Sequence, residues 1–337
     1  MGGTALGQTT RRLDIFEYNI KVHELIKVLL DRRGVDMPRD FKVINPTSYE
    51  SKESHGDIDL VLNYRVFPEQ IKDWFGDVKI AYNSHNPTLS FLYDGVQVDL
   101  IRSNPLDFEL VAFYLSYNDL NALVGRVATW QGLNFGLQGL FATIKHPDNP
   151  EIQKDIILSK SPRYAYEVLG YDYNRWLKGF KTPQEIFEFV VSSPYFDKSF
   201  FPFERNTSTR ATRDKKRRMY VDFLEFLQSV PDKEVMTLDY ENLPEYKALA
   251  PIVLSEILMI KKRADIMRKF KDCVVANLPN TNPKAVNSTI QSIMNKALEN
   301  NPNFKDDLLH CPDIPNLAAR LVSEQGDVLI NFNYKYL

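Results

Sequence analysis

Hydrophobic and polar positions follow two different periods along this chain, and the change of period divides it. Near the start, RLDIFEYNIKVHELIKVLLDRRG sets Phe16, Ile20, Leu25, Ile26 and Leu29 at helical spacing and closes with Arg-Arg-Gly, a helix stop. The period then shortens. FKVINPTSY predicts a short strand broken at Asn45-Pro46, ESKES is a polar link, and DIDLVLNY alternates as a strand does. Pro68 can open the helix PEQIKDWF, because proline suits a first turn. VKIAYN, LSFLY and VQVDLI predict further strands, the last two joined by Asp94-Gly95, a dipeptide suited to a type I′ hairpin turn. A helix follows from Asn104-Pro105 through LDFELVAFYLSY, and Asp119 can cap the next.

Later segments keep the helical period. TPQEIFEFVVSS has Thr182 as N-cap and Pro183 at its first turn, and KRRMYVDFLEFLQSV and APIVLSEILMIKKRADIMRKFKDCVVANL continue the theme. Pro279–Pro283 and Asn300–Pro302 read as turns between helices. The expected class is α+β: a small mixed β-sheet domain over residues 1–130, then a mostly helical domain over 131–337, with KHPDNP the latest place for the boundary.

Composition narrows the classes. In 337 residues, 42 Lys+Arg nearly balance 44 Asp+Glu, so a general polyanion-binding surface is not implied and any basic site must be local. A hydrophobic fraction of 44% allows a sizeable core. Cys273 and Cys311 lack metal-ligand spacing and read as reduced thiols, and His23, His85, His146 and His310 show no zinc pattern. No apolar run approaches a membrane span, and MGGTALGQTTRR lacks the apolar core of a secretion signal, so a cytoplasmic protein without membrane contact is the expectation.

The candidate chemistry lies in SHGDIDLVL. Residues two apart on a strand share a face, so Asp57 and Asp59 stand side by side, opposite Ile58, Leu60 and Leu62. Asp99 in VQVDLI likewise faces away from Val96, Val98 and Leu100. Three carboxylates on one face repel unless something offsets them; the plain alternative is solvated strand-end acids. Hard oxygen ligands suit Mg²⁺, and a carboxylate shared between two ions accounts for the close pair. Upstream, NPTSYESKES can bring a hydroxyl, backbone N–H groups and a lysine onto phosphates; Ser48 and Lys52 are the candidates, with Gly56 beside the first acid. The plain alternatives are a turn-forming serine and solvated surface groups, including a loop His55.

This order resembles the DNA polymerase β-like nucleotidyltransferase superfamily: a hydroxyl-bearing turn (Thr47-Ser48), a polar link, Asp57-Ile58-Asp59 on a strand, and a lone Asp99 on a later strand. The resemblance covers about residues 40–102. It implies a palm-like sheet, two Mg²⁺ ions (Mn²⁺ substituting) held by Asp57 and Asp59, and Asp99 completing the catalytic ion and acting as base. It also implies transfer of a nucleoside monophosphate from an NTP to an acceptor hydroxyl; an RNA or DNA 3′ end, such as that of tRNA, is the leading acceptor, and a protein side chain, a small drug or another nucleotide would also fit. The family's glycine before the serine is Thr47 here, which leaves open a catalytically inactive member that binds nucleic acid or protein. FYLSYNDLNALVGRVATWQGLNFGLQGLF is similar to segments of nucleotidyltransferase-like proteins from bacteriophages and large viruses, which would place the chain in host cytoplasm.

One further segment stands out. ERNTSTRATRDKKRRMY, with Arg210, Arg213, Lys215, Lys216, Arg217 and Arg218, concentrates positive charge and reads as a mobile loop entering a helix. It is a candidate contact to a nucleic-acid backbone or a triphosphate, against the plain reading of a solvated loop. KKRADIMRKFK reads as a solvated basic helix face, and RYAYEVLGYDYNRW as an aromatic core contact rather than a base-stacking platform.

Overall fold

Seven short strands fill the first part of the chain: β1 (Leu13–Asp14), β2 (Val43–Ile44), β3 (Ser54–His55), β4 (Asp57–Leu62), β5 (Ile80–Tyr82), β6 (Thr88–Tyr93) and β7 (Val96–Arg102). The computed structural model describes residues 5–7, 9–82, 87–205, 207–278 and 283–333; His85 and positions 279–282 of the expected turn lie outside them. Five strands form one mixed sheet in the order β2-β4-β7-β6-β5. Only the central pair β4–β7 is parallel; β2, β6 and β5 join antiparallel. The β6–β7 turn is the expected one, with Asp94 at φ 49° and Gly95 at φ 76°.

Strand alternation sorts the two faces. Ile58, Leu60, Leu62, Val96, Val98 and Leu100 point into one core with Leu89 and Phe91. Helix α1 (Ile15–Asp31), capped by Asp14, covers that core with Tyr18, Leu25 and Leu29, and α2 (Pro68–Phe75) adds Ile71. Phe16 and Ile20, expected on the buried stripe, are exposed instead, because the face that meets the sheet is set by Tyr18, Leu25 and Leu29. On the opposite face, α3 (Phe108–Leu115) packs Phe108, Val111 and Ala112 on Val61, two residues beyond Asp59. That helix covers the later half of β4 and leaves its acidic start uncapped by apolar groups.

Helix α4 (Leu120–Trp130) follows, and then a three-stranded sheet of β8 (Asn134–Gly136), β9 (Gly139–His146) and β10 (Asn149–Ser159) in the order β10-β9-β8. The expected mostly helical remainder does not include this sheet; KHPDNP, read as a boundary, is the turn of its long hairpin. Helices α5 (Pro162–Val168), α6 (Tyr173–Leu177), α7 (Pro183–Val191), α8 (Ser208–Asp214) and α9 (Arg218–Phe226) come next. Thr182 caps α7 as expected. The aromatic stretch is core: Tyr166 and Tyr171 are buried among Phe113, Phe135 and Phe189.

Contacts gather residues 1–143 and 155–247 into one compact unit, and residues 144–154 and 248–337 into a second. The helices up to about residue 247 thus pack with the sheet. The second unit holds most of α10 (Pro244–Ala276), with α11 (Pro283–Asn300), α12 (Phe304–Asp307) and α13 (Ile314–Asn333) around Phe270, Val274, Ile293, Leu308 and Ala318. Half of its basic face is self-paired, as Lys261 and Arg268 both meet Asp265 and Arg263 meets Asp306, while Lys262, Lys269 and Lys271 are exposed. Cys273 and Cys311 are free, and among the described residues no helix is long and apolar enough to cross a membrane.

Candidate metal centre

The parallel register decides the geometry. Asp59 lies directly opposite Asp99, and Asp57 opposite Gln97, so strands β4 and β7 bring all three acids onto one patch. Carboxylate oxygens of Asp57, Asp59 and Asp99 lie within 4.8 Å of one another, and they are the one such cluster among the described residues able to hold a metal ion. At such a separation and an effective dielectric of ~20, each charged pair would repel by about 3–4 kcal/mol. The protonation behaviour records that strain. Burial, then the charges of Asp57 and Asp99, push the Asp59 carboxyl up to about 7, while Lys52 opposes them. Asp99 is also raised, chiefly by burial, against hydrogen bonds from Ser90 and Gln97.

Three partly buried carboxylates with no sulfur or imidazole among them form a hard donor set. Hard divalent cations fit it; a thiophilic ion does not.

Lys52 is not the solvated surface lysine of the plain reading. Its Nζ lies 3.5 Å from Ser48 Oγ and 3.3 Å from Asn118 Oδ1. Burial lowers its pKa, and the charges of Asp57, Asp59 and Asp119 work against that fall. The Thr47–Ser48 turn is itself held by the α3–α4 corner: Thr47 N–H donates to Ser116 Oγ at 3.1 Å, and Tyr117 N–H donates to the Thr47 carbonyl at 2.6 Å. At that corner Tyr117 and Asn118 adopt φ of 57° and 60°, a left-handed pair that bulky residues rarely form. Glu50 and Ser51 N–H groups donate to the carbonyls of Phe180 and Lys181 before α7, closing the turn from its other side.

His55 departs from the loop reading. It sits in β3, buried, its ring stacked on Tyr18 at 3.6 Å, and its Nε2 has no hydrogen-bond partner. Asn45 Nδ2 donates to Tyr18 Oη and to the Asp59 carbonyl, tying α1 to the acidic strand. Gly56 is buried between β3 and β4.

From Thr207 on, the basic segment is largely helical rather than a loop. Thr207 caps α8, and Asp214 at its end is buried in an ion pair with Arg126 of α4, whose guanidinium lies 4.5 Å from the Tyr220 ring centre. Arg217 pairs with Asp119, so the carboxylate expected to cap α4 is used here and makes no side-chain cap bond. Arg210, Arg213 and Arg217 all lower the half-buried Tyr114 phenol against the rise that burial causes, and Arg218 acts in the same sense on Tyr49, next to Ser48. These four arginines therefore flank the same corner and turn that hold Lys52. Lys215 packs over Phe203 and Lys216 is exposed; neither is brought to the acids.

Several groups at the site carried no motif. Ser90 was readable from hairpin register and Gln97 from its place two before Asp99, whereas Asn118 and Asp119 enter only through tertiary packing. A scan against protein-family models finds no match for the chain, and a search of curated proteins finds none.

Proposed function

We propose that this chain is a Mg²⁺-dependent nucleotidyltransferase of the DNA polymerase β-like kind, moving a nucleoside monophosphate from an NTP to an acceptor hydroxyl at a nucleic-acid 3′ end. The observation that carries the reading is the meeting of Asp57, Asp59 and Asp99 within 4.8 Å on adjacent strands, with Lys52 and Ser48 beside them. On this reading the five-stranded sheet is palm-like. Asp57 and Asp59 would hold two ions and Asp99 would complete one of them; Mn²⁺ satisfies the same oxygen set. When bound, the cations would neutralise the triphosphate and the charge that builds at the reacting phosphorus.

The protein's own groups account for the remaining steps. Asp99, raised by burial, would accept the proton of the attacking hydroxyl. The freed oxygen pair forms the new bond to the α-phosphorus, the bond to the bridging oxygen breaks, and pyrophosphate departs with that electron pair. Lys52, with Ser48, supplies a fixed positive charge toward the departing phosphates. Arg210, Arg213, Arg217 and Arg218 form a cationic wall suited to a nucleic-acid backbone.

Incorporation from labelled NTPs into an RNA pool, with Mg²⁺ or Mn²⁺, tests this. Labelling lost in Asp57→Asn and Asp99→Asn, with circular dichroism unchanged, supports it; equal labelling by those variants removes it.

A further inference from the structure

The acidic patch contains a fourth inward residue that ligates nothing in the scheme above. Gln97 stands two residues before Asp99 on β7, on the same face, and its partner across the strand pair is Asp57. It is only 3% exposed, deeper than any of the acids. A carboxamide so buried must have its donors and its acceptor matched. Here Nε2 donates to both Asp99 oxygens, at 2.9 and 3.0 Å, and Oε1 accepts from the Ala5 backbone N–H at 2.9 Å.

The Ala5 contact fixes which way the amide points. A backbone N–H can meet only the oxygen, so the NH₂ is turned to Asp99; the flipped amide would set its oxygen against a carboxylate. The segment carrying Ala5 is tied down nearby, with Leu6 buried and Arg11 N–H donating to the Gly95 carbonyl at 2.9 Å. Ser90, opposite Asp99 on β6 and buried, adds a further hydrogen bond to the same carboxylate.

We propose that Gln97, oriented by the Ala5 N–H, is a positioning residue that holds the Asp99 carboxylate on the face it shares with Asp57 and Asp59, ready for a divalent cation. This rests on the metal reading given above. Groups that orient ligands rather than bind the ion set much of a site's affinity, because an unheld carboxylate must be ordered each time the ion enters.

The test is Mn²⁺ binding to the full chain without nucleotide, read from the electron paramagnetic resonance of free Mn²⁺, with melting curves in chelator alongside. Gln97→Met keeps the volume and removes the amide; it is expected to weaken Mn²⁺ binding about tenfold or more while leaving the metal-free melting temperature near that of the unaltered protein. Ala5→Pro removes the orienting N–H and also fixes φ at that exposed position; it is expected to weaken binding by a smaller factor than Gln97→Met. Affinity within about twofold of the unaltered protein in Gln97→Met overturns the inference and leaves the metal site standing. Should Gln97→Met not fold, unaltered affinity in Ala5→Pro overturns it. Failure of the unaltered chain to bind Mn²⁺ removes the metal reading and this inference with it.

Discussion

Asp59 and Asp99 face each other across the one parallel pair of strands in the five-stranded sheet. Nothing in a parallel ladder separates side chains at matched positions, so the two carboxylates share whatever compensates them. With no cation bound, that compensation is a proton. The folded Asp59 carboxyl sits at about 7, against 3.8 ordinarily.

The folded state therefore binds this proton more tightly than the unfolded chain. Its contribution to stability is fully present below about pH 4 and is lost as pH rises through about 7, on the order of 4 kcal/mol across that window. Metal-free protein is expected to melt at lower temperature at pH 8 than at pH 5. Asp59→Asn should flatten that fall. Buried His55, pushed down to about 4, works in the opposite sense over the same range, so the check is the difference between the two proteins: the same pH dependence in the unaltered chain and in Asp59→Asn would contradict the site's electrostatics.

Divalent ions should reverse the penalty. At a hundredfold excess over its dissociation constant a cation stabilises the native state by about 2.7 kcal/mol. Mg²⁺ or Mn²⁺ is expected to raise the melting temperature at pH 8, and Asp57→Asn or Asp59→Asn to lose that rise while melting higher than the parent in chelator. Calorimetric scans with and without the ion read both effects.

The Arg126–Asp214 pair is buried on both sides, with side chains 5% and 4% exposed. Arg126→Ala leaves a buried carboxylate unmatched and removes the contact to Tyr220, so a loss of about 3–5 kcal/mol is expected in urea unfolding. The double replacement Arg126→Met with Asp214→Leu should recover most of it. A single replacement costing under about 1 kcal/mol would show that the α8–α9 corner is anchored elsewhere.

If the arginine wall meets nucleic acid, Arg217→Ala with Arg218→Ala should weaken binding to single-stranded RNA and lower the steepness of its salt dependence by about 1–2. Fluorescence anisotropy from low to moderate salt measures the slope. An unchanged slope assigns those side chains to Asp119 and Asp222 alone, the carboxylates they meet in the protein by itself.

Much of this was legible in the chain because local rules governed it. The period of two in DIDLVL and VQVDLI assigned both strand faces correctly, and Asp94-Gly95 set the turn. What periodicity could not supply was register between β4 and β7, which are far apart in sequence, yet register alone sets Asp59 against Asp99 and Gln97 against Asp57. Phe16 and Ile20 misled because an amphipathic helix offers more apolar positions than a sheet can cover. The sheet of β8 to β10 was missed because β10 is largely polar, NPEIQKDIILS, with few buried positions to mark it. Lys52 looked solvated because Asn118 and Asp119, which surround it, arrive from the far side of α3.

The long hairpin of β9 and β10 gives its tip, residues 144–154, to the second unit while its base stays with the first. Chopping the polypeptide once, after residue 247, would consequently not release a clean N-terminal fragment. Such a fragment would keep Ile144 and His146, now 8% and 5% exposed, and would strip Lys154 of Glu256. Two cuts, or a shortened hairpin spliced across its neck, are what tidy dissection of this molecule demands.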